Sequence, residues 1–406
     1  MTDAFCKDTS RAFIWNRVLN IPFWTLITAL PFILYKDMHA SKLQLTLVIA
    51  LKPISALIAP YWSMWVEERK DRLLSNIFWA NLLRYIPLLF CPWMHSPWQV
   101  IAAFFFYMIL SRGSTPAWME MMKNRLPKES HARVFQTGST LEYLGTALLP
   151  FVMGSFLDSD RVPWQWMFSI SALLALASTL FIKRIPKVVE DRQKVGRSFR
   201  EHVINPWLRL RTILSDRPDF SMYIKGFMLG GAGLMILHPA LSLYFVDVLE
   251  LSYTEMLLAL GLCKGIGFAI SSPFWTGYFQ RVNIYFFSGV IALLAACFPV
   301  LLFFASSQLS FLYVAYLLYG IMQSGSELSW HMSGPYFSKD EDSSSYSAIN
   351  MLTVGLRGCI VPFIGGLLLS FFGSVYVLGI GAIFCMMGSF YLLRCSSHSA
   401  AYESAL

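Results

Sequence analysis

The chain has 406 residues, of which 56% are hydrophobic and only 14% charged, and its mean hydropathy is +0.53. Soluble domains carry about 25% charged residues, so this chain cannot clothe a water-facing surface of its size. A string of soluble domains, a collagen-like or disordered chain and a disulfide scaffold are all excluded. The net charge of +8 would suit a nucleic-acid binder, but the placing of that charge argues against it.

A bilayer core takes about 20 apolar residues per helix. Twelve stretches qualify, with ends set to within about three residues: 14–35, 43–65, 73–92, 97–121, 133–157, 163–183, 220–246, 254–277, 283–305, 308–331, 345–371 and 375–394. The first ten residues are polar and no small-residue cleavage site follows the first span, so it reads as a retained helix. It carries Asn20, Trp24 and Thr28 on one face. With the N-terminus placed in the cytoplasm, cytoplasmic segments hold 23 Lys and Arg and external loops hold 3 (Lys36, Lys42 and Arg161). That bias predicts cytoplasmic termini, and it explains the basic charge as membrane topology. Trp93, Trp98, Trp164 and Trp166 fall at the outer span ends, where an aromatic belt is expected.

Ionisable groups recur far from the span ends. The basic ones are Lys52, Arg84, Arg112, Lys264 and Arg357; the acids are Glu142 and Glu327. Each costs about 2.5–3.5 kcal/mol at a helix centre facing lipid, against a total stability of about 5–15 kcal/mol. Most must therefore face water, an acid or a bound solute. In span 10, Gln323, Glu327 and His331 share a helical face, and in span 11 so do Asn350, Thr353 and Arg357. Arg84 reads as a packing residue. Lys52 reads either as a substrate contact or as a helix-tying partner of Glu142. His238 reads either as a proton carrier or as a hydrogen-bonded core residue. The seven cysteines are scattered singly and read as small apolar packing residues.

Between the sixth and seventh spans lies a basic connector, 184–219, dividing the chain into 1–183 and 220–406. Phe199, Val203, Trp207, Leu210 and Leu214 recur there at helical spacing among arginines. The stretch reads either as an amphipathic helix on the membrane face or as a solvated linker. The halves repeat each other at an offset of 212–213 residues. Pro60-Tyr61-Trp62-Ser63 returns as Pro273-Phe274-Trp275-Thr276, Gly113-Ser114 with Trp118 as Gly325-Ser326 with Trp330, and the run Pro150–Gly154 as the run Pro362–Gly366. The fold class predicted is an all-α polytopic membrane protein: twelve helices in two six-helix pseudo-repeats of equal orientation, the layout of transporters that rock one half against the other.

With these features the whole chain resembles the major facilitator superfamily. The loop after span 2, Ser63-Met64-Trp65-Val66-Glu67 followed by Arg69, Lys70 and Arg72, corresponds to the family's basic motif, with Ser for its Gly and Glu for its Asp. Its second-half copy runs Thr276 to Arg281. Arg112-Gly113 matches a family position in span 4. Gly145, Pro150 and Gly154 match the glycine–proline run of its antiporter branches, with Leu149 in place of a Gly. The resemblance implies a conformational switch loop at Glu67, Arg69, Arg72 and Arg281.

The basic excess inside the spans favours an anionic cargo, since Arg and Lys suit carboxylate or phosphate. The expected function is secondary active transport, by symport, of a small organic anion coupled to protons. Substrate contacts are expected at Arg112, Arg357, Lys264, Lys52, Asn20, Trp24, Asn350 and Gln323. Proton coupling is expected at Glu142, Glu327 and His238. No cofactor, metal or nucleic acid is expected, and the protein is expected to act as a monomer in the lipid bilayer. No Walker, GxSxG or HExxH motif occurs, so an ATP-driven pump is excluded and an enzyme disfavoured. A multidrug or metabolite efflux antiporter and a non-transporting receptor or scaffold are the alternatives. None of the eight Asn lies in a glycosylation sequon; with the short external loops, that fits a bacterial inner membrane.

Overall fold

The computed structural model describes residues 3–68, 72–125, 128–159, 162–185, 199–338 and 343–403. No strand occurs among them. A helix pairs its own backbone N–H and C=O groups, which a hydrocarbon solvent would leave unsatisfied. In chain order the helices are α1 (Asp3–Val18), α2 (Ile21–Lys36), α3 (Lys42–Glu68), α4 (Leu73–Leu89), α5 (Pro97–Arg125), α6 (Lys128–Asp158), α7 (Trp164–Lys183) and α8 (Phe199–Asp216). They continue with α9 (Pro218–Leu243), α10 (Tyr253–Leu257), α11 (Lys264–Phe279), α12 (Ile284–Phe304), α13 (Ser310–Ser338), α14 (Ser343–Phe372) and α15 (Ser374–Glu403).

Every predicted span coincides with helix, and eight helical stretches among the described residues are long and apolar enough to cross a membrane. The others include α3, α5 and α13, whose apolar runs are interrupted by Lys52, Arg112 and Glu327. Several ends run well beyond the predicted ones: the first begins at Asp3, and the last reaches Glu403. Hydropathy marks where the chain leaves lipid, but a helix can continue into water because its hydrogen bonds are internal. The first span is also broken at Leu19–Asn20, between α1 and α2, where Pro22 opens the second helix. Large apolar side chains such as Phe371, Ile270 and Phe390 are exposed, as lipid-facing positions require. Trp93, Trp98 and Trp166 are exposed too, but Trp164 is buried against Phe168 and does not belong to a belt.

The helices form two compact units. The first comprises Met1–Ala40, Ile54–His202 and Ser252–Leu257; the second comprises Ser41–Pro53, Val203–Leu251 and Leu258–Leu406. Each thus includes a short segment from the other half of the sequence. In the first unit, α10 packs on α6. In the second, the start of α3 meets α14: Lys42 Nζ donates to the Leu369 carbonyl at 3.2 Å. The glycines at the two contacts are repeat-related. A Cβ on Gly154 would lie 2.7 Å from Thr254 Cα, and one on Gly366 would run into the Thr46 side chain. Of the exchanged segments, Ser41–Pro53 ends at Pro53, a residue with no N–H to give to the helix, although α3 runs on unbroken, and a π-helical stretch, Leu258–Cys263, follows α10.

Within the second unit, α15 packs closely on α9 and α12. A Cβ at Gly388 would run into the backbone of Gly230. The α9–α15 crossing therefore depends on small residues, as close helix approach in membranes does. In α8, Leu210, Ile213 and Leu214 pack against the aromatic cluster of Phe220, Tyr223 and Tyr346, while Trp207 is exposed.

Candidate functional site

In the first unit the ionisable residues separate by role. Arg84 on α4 is buried and donates to Asn81. Its guanidinium carbon lies 4.7 Å from the Tyr85 ring centre and 5.7 Å from that of Tyr107. Asn81 in turn donates to Ser178 at 3.0 Å, and Asn16 donates to both Asn81 and Ser178 at 2.9 Å. This network ties α1, α4 and α7 together, with the cation stabilised by ring faces rather than by an acid.

Glu142 on α6 pairs with Arg17 of α1, Nη1 to Oε2 at 2.7 Å. From the sequence, Lys52 is the partner weighed for Glu142; the ion pair observed is with Arg17. Arg17 closes the α1–α6 contact because both lie where those helices meet, and Lys52 belongs to the segment that packs in the other unit. Asn20 is buried at the α1–α2 break, and its side-chain oxygen has no hydrogen-bond partner. Trp24 lies 6.2 Å from Tyr107, ring centre to ring centre. Arg112 is exposed on α5 and has no acidic partner among the described residues. Of the switch loop, Arg72 and Arg281 are exposed; Arg69 and the side chain of Glu67 lie outside the described residues.

The second unit gathers more of the predicted residues. Arg357 on α14 is only 8% exposed. Its Nη1 donates to the Phe227 carbonyl of α9 at 2.8 Å, and its guanidinium carbon sits 5.6 Å from the Phe227 ring centre. Its Nε has no partner, and no carboxylate among the described residues pairs with it. Gly231 makes this placement feasible, since a Cβ there would overlap the guanidinium. Arg357 and His238 both line a partly open pocket of about 150 Å³ between α9, α12, α13, α14 and α15. The His238 ring also hydrogen-bonds the Leu234 carbonyl through Nδ1.

Lys264 opens α11 after the π-helical stretch, with Nζ 5.2 Å from the Tyr319 ring centre. Gln323 donates to Glu327 at 3.1 Å, and the charges of Glu327 and Lys264 interact. Among the described residues, Lys264 and Lys52 lie near enough for their charges to act on His238. Lys52, His238, Lys264 and Glu327 are thus electrostatically connected. The Asn350 amide nitrogen donates to Ser333 at 2.7 Å and to the Trp330 carbonyl at 3.2 Å, joining α14 to α13, while its Oδ1 is buried without a hydrogen-bond partner. His331 is exposed with its ring against Trp330.

Sequence reasoning missed Arg17 and Gly231. Arg17 looked like a span-end cation set by topology. Gly231 lay among the small residues of Gly230–Gly233, where nothing in the spacing marks one glycine as a cradle. Among the described residues no cluster of His, Cys, Asp and Glu could hold a metal ion.

A polytopic helical bundle with buried, acid-free cations is the architecture of a membrane transporter. The profile of the Major Facilitator Superfamily matches residues 18–332, and the chain belongs to that family. No curated protein matches it in sequence. Solved structures match its fold. A bacterial homolog of the human lysosomal transporter Spinster, in an inward-facing and unoccupied conformation, aligns at 15% identity and TM-score 0.68, covering 98% of this chain and 99% of that one. The nucleoside transporter NupG aligns at 14% and 0.70, covering 95% and 98%. A POT family transporter in complex with 5-aminolevulinic acid aligns at 12% and 0.74, covering 97% and 96%. The protein is an integral multi-pass membrane protein.

Proposed function

We propose that this protein is a secondary active transporter that carries a small organic anion by alternating access, coupled to protons, with no enzymatic activity of its own. The observation that carries the reading is Arg357, buried beside a cavity with no carboxylate among the described residues to balance it. A buried cation of this kind is costly unless a counter-charge arrives, and a guanidinium is suited to carboxylate or phosphate. Arg112, also without an acidic partner, is a second substrate contact, with Asn20, Trp24, Lys52, Lys264 and Gln323. Asn350, tied to α13 through its Nδ2, offers its unpaired Oδ1 as a further contact. The Glu327–Lys264–His238 group and the Glu142–Arg17 pair are the proton-coupling elements.

The halves 1–183 and 220–406 move about the connector 184–219, with termini and connector cytoplasmic in a bacterial inner membrane, the protein working as a monomer without nucleic-acid partners. Uptake of a labelled organic-anion panel into proteoliposomes under an imposed proton gradient tests this. Accumulation of an anion that collapses with a protonophore supports it; accumulation only of cationic drugs overturns it in favour of efflux.

A further inference from the structure

The pocket beside Arg357 lies wholly within the second unit. Its volume is about 150 Å³, the size of an apolar protein cavity that takes a benzene molecule. Most of its wall is apolar, from Leu234, Met235, Ile291, Ala292 and Met322. The polar groups are few. Ser288 is already engaged by Ser329, and His238 by the Leu234 carbonyl. What remain are the Ser326 hydroxyl, a neutral group, and the one charged group, the guanidinium, fixed by the Phe227 carbonyl with its Nε–H unpaired.

These features select among solutes. A neutral guest would leave the buried charge unbalanced, and a cation would be repelled. A dianion would bring a second charge into a lining whose only Lys or Arg is Arg357, where a neutral hydroxyl such as Ser326 does not repay the desolvation of an ion. One carboxylate on a compact apolar body meets both halves of the pocket: the charge joins Arg357 in a charge-assisted hydrogen bond, and the body replaces empty space against the aliphatic wall. We propose that this pocket binds a compact monocarboxylate with an apolar body about the size of a benzene ring. This rests on the reading of the chain as an organic-anion carrier and narrows its substrate class.

The test is calorimetric titration of the purified full chain in detergent with benzoate, set against phthalate, benzyl alcohol and inorganic phosphate. Benzoate is expected to bind at least tenfold more tightly than any of the three. Arg357→Gln should lose that affinity at least tenfold. Ala292→Leu should do so by filling the pocket while leaving Arg357 in place, and it carries the test if Arg357→Gln fails to fold. Benzoate affinity unchanged in Ala292→Leu, or phthalate bound as tightly as benzoate, would overturn the pocket assignment.

Flux measurements separate this from the carrier reading. Proton-driven uptake of a larger organic anion, with benzoate neither bound nor competing, overturns the pocket alone. Benzoate binding that Ala292→Leu abolishes, with no flux of any organic anion in proteoliposomes, upholds the pocket and overturns the carrier.

Discussion

The carboxylate of Asp158, the last residue of α6, accepts a hydrogen bond from the backbone N–H of Tyr253 at 2.7 Å and a second from Thr254 at 2.9 Å. These are the first residues of α10, whose opening N–H groups have no partner within their own helix. Asp158 therefore adds a second cap, from about a hundred residues away in sequence, to the local one in which Ser252 Oγ accepts from the Glu255 N–H at 3.2 Å. The contact between Lys42 and the Leu369 carbonyl does the converse at the end of α14, where a cation meets the negative end of a helix.

Replacing Asp158 should loosen α10 from α6. Asp158→Ala is expected to cost about 1 kcal/mol, the usual worth of a cap. Asp158→Asn, which keeps one acceptor oxygen, should cost less. Thermal unfolding in detergent should rank the proteins wild type, Asn, Ala; an Ala variant as stable as wild type would show that the contact is not stabilising.

Gly231→Ala should act through Arg357, because the added methyl would overlap the guanidinium. Transport is expected to fall at least tenfold with protein still present in the membrane. Gly379→Ala is the control, since a Cβ there meets nothing within 4 Å. Equal activity of the two variants would break the link between Gly231 and function.

Arg84→Ala should be a stability defect. It removes the cation from between Tyr85 and Tyr107 and leaves Asn81 short of a donor, a loss of about 2–4 kcal/mol for a buried network. Flux per folded molecule should stay near wild type. Arg84→Lys should not rescue stability, since an ammonium cannot keep a planar face on the rings while reaching Asn81. A large fall in specific flux at unchanged stability would move Arg84 into the transport site.

Glu142→Gln keeps the shape of the carboxyl but removes the charge paired with Arg17. If Glu142 couples protons, counterflow exchange should survive and gradient-driven accumulation should be lost. If the pair only holds α1 to α6, both activities should fall together and be partly restored by Arg17→Gln in the same protein. Proton-driven accumulation at wild-type rates in Glu142→Gln, Glu327→Gln and their double mutant would remove both as couplers.

The Lys and Arg asymmetry predicts that cysteine at Ser198 is shielded from an impermeant thiol reagent on intact cells and that cysteine at Ser159 is labelled. The reverse pattern would invert the topology.

The sequence alone determined that this is a helical membrane protein, and it pointed to twelve apolar stretches and a repeat between its halves. These follow from local quantities: runs of apolar residues, loop charge and recurring glycine and proline positions. It also pointed to Arg357, because a charge in an apolar run stands out without knowledge of its neighbours. Only the tertiary structure decided what each charge meets. Glu142 meets Arg17, the Asn350 amide nitrogen meets α13, and Arg84 rests on tyrosine rings. The same holds for Gly231, whose importance comes from a guanidinium more than a hundred residues along the chain, and for α10, capped by Asp158 of another helix. Helix periodicity says which residues share a face; which partner covers that face depends on packing between segments distant in sequence, and no local pattern encodes it.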